Sequence, residues 1–178
     1  YGCFDTMVVG GSEQVNRPVP SGGGLYPLEI YPIILKSADV PAGIYHFNPL
    51  THGLAQLAEG APPPDLLTEL FVRQPCVSEA GGLIVIAAVL DRLMWKYEDR
   101  GYRYILLEAG HAAQNATLAA AALGLGALSL GGFFDLDLAE LLRLDPEIEI
   151  PVYALAIGAP EPTAPETRRL PRDGHDVL

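Results

Sequence analysis

Hydrophobic runs along the chain sort it into short strands and a few helices. Residues 83–89, LIVIAAV, are an unbroken apolar run of strand length, the pattern of a central strand buried on both faces. Residues 28–36, LEIYPIILK, put β-branched and aromatic residues on both faces and read as another strand, with Pro32 requiring a sheet edge or an unpaired N–H side. Short runs at 43–47 and 54–57 flank an NPLTHG turn and predict a hairpin. Strands are also expected at 127–130 and, after Pro151, at 152–157. Asp65 is placed to cap a short helix, LLTELFV, that Pro75 ends, and Asp137 to cap one reaching about Leu142. Residues 1–24 end in Pro18, Pro20 and three consecutive glycines and predict a shaped loop without regular structure.

The longest element is a helix over 102–123, free of proline, dominated by Leu and Ala, and stopped by Gly124 and Gly126. Tyr102, Leu106, Ala109, Ala113, Ala116, Ala120 and Leu123 recur at helical spacing as an apolar stripe. Tyr104, Glu108, His111 and Asn115 fall together on a partly polar side, and beyond Thr117 the helix is apolar all round. That leaves two readings, a central core helix or a helix buried between subunits. Helices and strands interleave without regular strand–helix alternation, which makes the fold class α+β.

At 178 residues the chain fits a single domain spanning 1–178, with 159–178 as an extended Pro-rich and charged tail. A net charge of −11 argues against nucleic acid and anionic membrane as partners, since both demand clustered cations. No apolar run is long enough to cross a bilayer. Cys3 and Cys76 have neither metal-ligand spacing nor the density of a disulfide scaffold, so free thiols in a cytoplasmic setting are the expectation. The chain opens at Tyr1 rather than Met, so an N-terminal segment is expected to be missing.

Candidate chemistry is sparse. Glycines 124, 126 and 131 follow a helix rather than a strand and do not form a dinucleotide fingerprint. The four histidines show no zinc spacing, so no metal is expected, and His111 reads as a packed helix residue. Lys96 stands out because only two lysines accompany nine arginines. Lysine can release its proton, the more so near cations such as Arg92, Arg100 and Arg103, and beside Tyr97 it is placed for proton transfer. The segment RPVPSGGG offers backbone N–H groups and the Ser21 hydroxyl to a flat or anionic ligand. Gly131, Gly132 and Phe133 sit where a backbone can approach a ring edge, and Arg168 and Arg169 form a possible phosphate clamp.

Taken together, RPVPSGGGLYPLEIY, WKYEDRGYRYILLEAGHAAQN, LAAAALGLGALSLGGFFD and VYALAIGAP resemble the SagB-type, or McbC-type, dehydrogenases of the nitroreductase superfamily, over roughly 17–160. The resemblance implies an α+β flavoprotein with a mixed or antiparallel central sheet, helices on both faces, and a homodimer interlocked around the 102–123 helix with FMN bound between subunits. It places Arg17, Pro20, Ser21, Gly22, Gly23, Gln114, Gly131, Gly132, Phe133, Arg168 and Arg169 at the cofactor, and makes Lys96 and Tyr97 the proton-removing pair. The implied reaction oxidises an azoline ring of a peptide precursor to an azole, with oxygen reoxidising the flavin and biosynthetic partner proteins nearby. One departure is that no Arg-Arg-Ser type phosphate grip precedes Arg17. Two rival readings are an NAD(P)H-driven nitro or quinone reductase and a flavin-less scaffold module of a biosynthetic complex.

Overall fold

A computed structural model describes residues 1–3, 5–9 and 12–160, with side chains for 1–3 and 16–160. The apolar run becomes β6, Gly82–Val89. It is flanked by β3, Leu28–Ile34, and β8, Glu149–Gly158. Strands β4, Gly43–Asn48, and β5, Gly53–Glu59, extend one edge, and β7, Gly126–Leu130, closes the other. The order is β5-β4-β3-β6-β8-β7, with every pairing antiparallel.

Interior position explains why β6 is apolar throughout. Its alternate residues feed opposite cores: Leu83, Val85 and Ala87 enter one hydrophobic cluster, while Ile84, Ile86 and Ala88 enter the other. Helices α1, Pro64–Leu70, α2, Cys76–Glu79, and α5, Asp135–Leu142, cover the first face through Leu67, Phe71, Val77, Leu138 and Leu142. Helices α3, Asp91–Tyr97, and α4, Arg100–Ala122, cover the second through Leu93, Ile105, Ala109, Ala112 and Ala113. The α+β class with helices on both faces of an antiparallel sheet is therefore observed. No described helix is long and apolar enough to cross a membrane.

Several expectations need correction. The opening stretch carries a hairpin, β1, Asp5–Val9, and β2, Ser12–Asn16, rather than a loop from Tyr1 onward. Two five-residue runs about a Gly-Gly pair are a hairpin signal that the later Pro- and Gly-rich segment obscures. Strand β3 is interior, so of the two options for Pro32 the unpaired N–H side holds and the sheet edge does not. Its pairs with β4 involve only Ile33 and Ile34, so Pro32 lies outside that ladder. Pro64 at the first turn, with Pro63 before it, opens α1, and Asp65 lies inside rather than at the cap. Helix α5 starts two residues before Asp137, which joins Asp135 in a first turn where carboxylates favour the helix dipole. Lys96 and Tyr97 occupy the last turn of α3, a helix for which the sequence reading made no prediction.

The stripe predicted for α4 is divided. Ala109, Ala113 and Ala120 are buried, but Tyr102, Leu106 and Leu123 are exposed. Because α4 is apolar on nearly every side, periodicity cannot choose its inner face. Gly101 does so, since a methyl there would stand 3.2 Å from the α3 backbone at Met94, and that close crossing sets the rotation of the helix. Leu107 and Leu118 are consequently left facing outward.

Candidate active site

The side of α4 that carries Tyr104, Glu108 and Asn115 acts as a rail for the segment after β2. At positions i, i+4 and i+11 these side chains share one face. Asn115 Nδ2 donates to the Pro18 carbonyl at 3.4 Å. Tyr104 packs so closely on Gly22 that a methyl at that glycine would lie 3.2 Å from its Cβ. Tyr1 Oη donates to Glu108 Oε1 at 2.8 Å. His111, the fourth member of the group, is exposed.

Cross-ties then fold the segment into a tight loop. Ser21 is extended, and Gly22–Gly24 make one 3₁₀ turn in which the Gly24 N–H reaches the Ser21 carbonyl. Ser21 Oγ accepts the Tyr26 N–H at 2.9 Å, and Tyr26 Oη accepts the Arg17 N–H at 3.0 Å. Gly23 has φ 65°, a conformation that glycine adopts without strain. The Arg17 guanidinium lies against the Tyr1 and Tyr26 rings, 4.6 and 4.8 Å from their centroids.

Lys96 and Tyr97 meet this loop. A methyl at position 23 would stand 2.7 Å from Tyr97 Oη and 2.9 Å from Lys96 Nζ, so both polar tips converge on the backbone of Gly23. Tyr97 is held edge-on by Tyr104, with ring centroids 5.0 Å apart. Lys96 itself is exposed. Two groups more than seventy residues apart in sequence are thereby joined, with Tyr104 packed against both the loop and Tyr97. Arg92 is not a free cation beside Lys96, because it pairs with Glu29 Oε1 at 2.6 Å and donates to the Tyr26 carbonyl. Arg100 and Arg103 border a surface cleft with Tyr102, Leu106 and Leu107.

Gly131, Gly132 and Phe133 stand apart from this group. Phe133 packs edge-on against Phe71, ring centroids 5.9 Å apart, in the cluster on the other face of the sheet. Neither glycine has positive φ, and methyl groups on them would meet nothing closer than 3.9 Å at Gly131 and 3.6 Å at Gly132. Among the described residues, internal packing therefore gives no reason for glycine there. Pro20 is exposed, as is Gln114 on the outward side of α4. Arg168 and Arg169 lie outside the described residues.

Two features escaped the sequence reading. Glu108 is buried at 1% exposure, although the helical pattern put it on the polar side. Its spacing with Tyr104 and Asn115 was the available signal. Behind the loop, a cleft of about 430 Å³ is bordered by Arg17, Tyr26, Glu29, His46 and Arg92. There Glu29 Oε2 takes His46 Nε2 at 2.8 Å, opposite its pair with Arg92. Burial raises both the Tyr31 hydroxyl and its partner carboxyl on Glu149 above their ordinary ranges, and neighbouring Glu29 adds to each.

Gly23→Ala should cost about 1–2 kcal/mol from left-handed strain alone. It should also push Lys96 and Tyr97 from the loop, so activity should fall much further than the melting temperature indicates. Thermal denaturation beside turnover checks this, and unchanged turnover would remove the loop from the site.

The model of the nitroreductase family matches residues 5–159. MJ1384 of Methanocaldococcus jannaschii, named as a nitroreductase, is 34% identical over 146 residues, which cover 82% of this chain and 72% of that protein. The microcin B17-processing protein McbC of Escherichia coli is 29% identical over 155 residues, covering 82% of this chain and 55% of McbC. Among solved structures, one from Anabaena variabilis, also named as a nitroreductase, superposes with a TM-score of 0.82 at 33% identity over 88% of this chain and 32% of that one. The E. coli microcin synthetase McbBCD complex with truncated pro-MccB17 gives 0.71 at 27% identity, over 82% of this chain and 56% of the matched chain. The chain thus spans little more than half of McbC.

Proposed function

The chain belongs to the nitroreductase family and is McbC-like within it, and on that premise we propose an FMN-dependent oxidoreductase that converts azoline rings of a peptide precursor to azoles. The observation that carries the proposal is the convergence of Lys96 Nζ and Tyr97 Oη on Gly23 of the Pro20–Ser21–Gly22–Gly23 loop. The proposed base and a backbone surface suited to a flat ligand occupy one place.

Azoline oxidation removes one proton and one hydride from the ring, the hydride carrying the two electrons, and leaves a new double bond. FMN, when bound, supplies the two-electron acceptor. The protein's share is placement and proton removal. Lys96 Nζ takes the ring proton, Tyr97 Oη hydrogen-bonds at the same point, and Tyr104 holds the Tyr97 ring edge-on. Ser21, Gly22 and Gly23 form one wall of the flavin site, with Arg17 and Pro20 framing the loop. The open-faced Gly131 and Gly132 with Phe133 form the other wall, helped by Gln114 and, from the tail, Arg168 and Arg169 as the phosphate grip.

These two walls pack on opposite faces of the sheet within one chain. The reading therefore calls for a homodimer in which one copy's glycine loop, Lys96 and Tyr97 face the partner copy's 131–133 turn. The outward Leu107 and Leu118 of α4 supply an apolar surface for it. Likeness to the McbBCD complex supports peptide substrates and companion proteins of a biosynthetic assembly. A second reading, an NAD(P)H-driven nitroreductase, is favoured by the likeness to MJ1384.

Mixing purified protein with FMN and removing free flavin by gel filtration tests the cofactor. A yellow protein with one flavin per chain is expected, and a colourless one would select the scaffold reading.

A further inference from the structure

Helix α3, which carries the proposed base, touches the glycine loop at three points. At its end Lys96 and Tyr97 close on Gly23, and nearer its start Leu93 packs on Gly22, where a methyl would stand 3.2 Å from Leu93 Cδ2. The third point is Arg92, to which the proposed reaction gives no task. Its Nη1 donates to the Tyr26 carbonyl at 3.2 Å and pairs with Glu29 Oε1 at 2.6 Å. Glu29 is anchored in turn, because its other oxygen lies 2.8 Å from His46 Nε2 on β4. The residue that Arg92 holds is strained. Tyr26 has φ 46°, a left-handed backbone that a non-glycine residue adopts at a cost, and it precedes Pro27, which favours extended backbone before it. Such a conformation persists where its surroundings over-determine it. Within the loop, Ser21 Oγ accepts the Tyr26 N–H and the Arg17 N–H donates to Tyr26 Oη. Arg92 adds a hold on the carbonyl from outside the loop. An exposed ion pair alone contributes little, but the Glu29 side chain is only 14% exposed and Arg92 joins it to a strained residue.

We propose that Arg92 is a positioning residue: anchored on Glu29, it grips the Tyr26 carbonyl, keeps the loop exit left-handed, and so holds Gly23 in register with Lys96 and Tyr97. Arg92 and Lys96 stand four residues apart on one helix, so they share a face. The grip at Tyr26 and the contact at Gly23 therefore fix α3 on the loop at two ends. The functional consequence rests on the flavin-site reading, whereas the grip does not.

Arg92→Met keeps an unbranched stem but removes the donor and the charge. The Gly24, Leu25 and Tyr26 amides bond within the loop to Ser21 and Gly22. Their protection from hydrogen exchange should fall roughly tenfold, about the size of one hydrogen bond to a charged group, while amides of the β6–β8 ladder keep theirs. With the azoline peptide, kcat should fall about tenfold and KM stay within about twofold. That loss should vanish in a Lys96→Ala background, where no base is left to place, although the loop stays loosened. Glu29→Gln removes the anchor and leaves Arg92 in place. It should loosen the same amides and combine with Arg92→Met less than additively, and it reads the same grip should the methionine variant fail to fold. Loop protection unchanged in both variants would overturn the proposal. So would an equal fractional loss of turnover with and without Lys96, the mark of a merely structural role. A loosened loop in a protein that binds no FMN would keep the grip and reject the flavin reading.

Discussion

Lys96→Ala should lower azole formation by about a hundred- to ten-thousandfold, the range that a positioned general base contributes, while flavin stays bound. The side chain is exposed at the last turn of α3, so its loss should leave stability within about 0.5 kcal/mol of the native protein. No other lysine can replace it locally, since Lys36 reaches instead toward the Glu79 carbonyl, beside α2 on the other face. Arg92 is committed to Glu29 and Tyr26. Tyr97→Phe should cost less, because its ring still packs on Tyr104 and only the hydroxyl beside Gly23 is removed. Measured rates with the azoline peptide, with the visible flavin spectrum as a loading control, check both. Full activity in Lys96→Ala would leave proton removal without its residue.

The second large effect is on assembly. Leu107 and Leu118 are 55% and 59% exposed and stand eleven residues apart on α4, close to three whole turns, so they project from the same side. Each fully buried leucine contributes roughly 1.5–3 kcal/mol, and an arginine in its place at an apolar interface adds an uncompensated charge. Leu107→Arg with Leu118→Arg should therefore weaken dimerisation at least about a hundredfold. Because the proposed flavin site draws the 131–133 turn and the glycine loop from different copies, flavin should be lost together with the dimer. Helical content should hold, because neither leucine enters either core cluster. Light scattering, circular dichroism and flavin retention on one sample separate these outcomes. A monomer that still holds FMN tightly would mean that one chain completes the site.

Legibility in the sequence tracked how strongly each element was constrained. Strand β6 had to be apolar on both faces and was readable from that alone, and the β4–β5 hairpin was marked by its turn residues. Helix α4 was visible in its length, but its inner face was not, because alanine and leucine surround it and a single close crossing at Gly101 decides the rotation. Glu108 was misjudged for the same reason. A helical pattern reports which side is polar, and here Glu108 of that side turns inward onto Tyr1 while His111 and Asn115 stay exposed. The candidate residues Ser21, Gly22, Gly23, Lys96 and Tyr97 were all named from sequence. Their meeting was not, since it depends on β3 and α4 packing α3 against a loop seventy residues earlier. Gly131, Gly132 and Phe133 were expected at a cofactor bound between subunits, and within one chain Phe133 packs on the face opposite the glycine loop, as the proposed dimer requires.

An anaerobic titration of the FMN-loaded protein with an azoline-bearing peptide tests the central claim most directly. The account predicts that the flavin's visible absorption bleaches in step with azole appearing in the peptide, one for one. Flavin that bleaches with NADH but stays oxidised through a full titration with azoline peptide would contradict it.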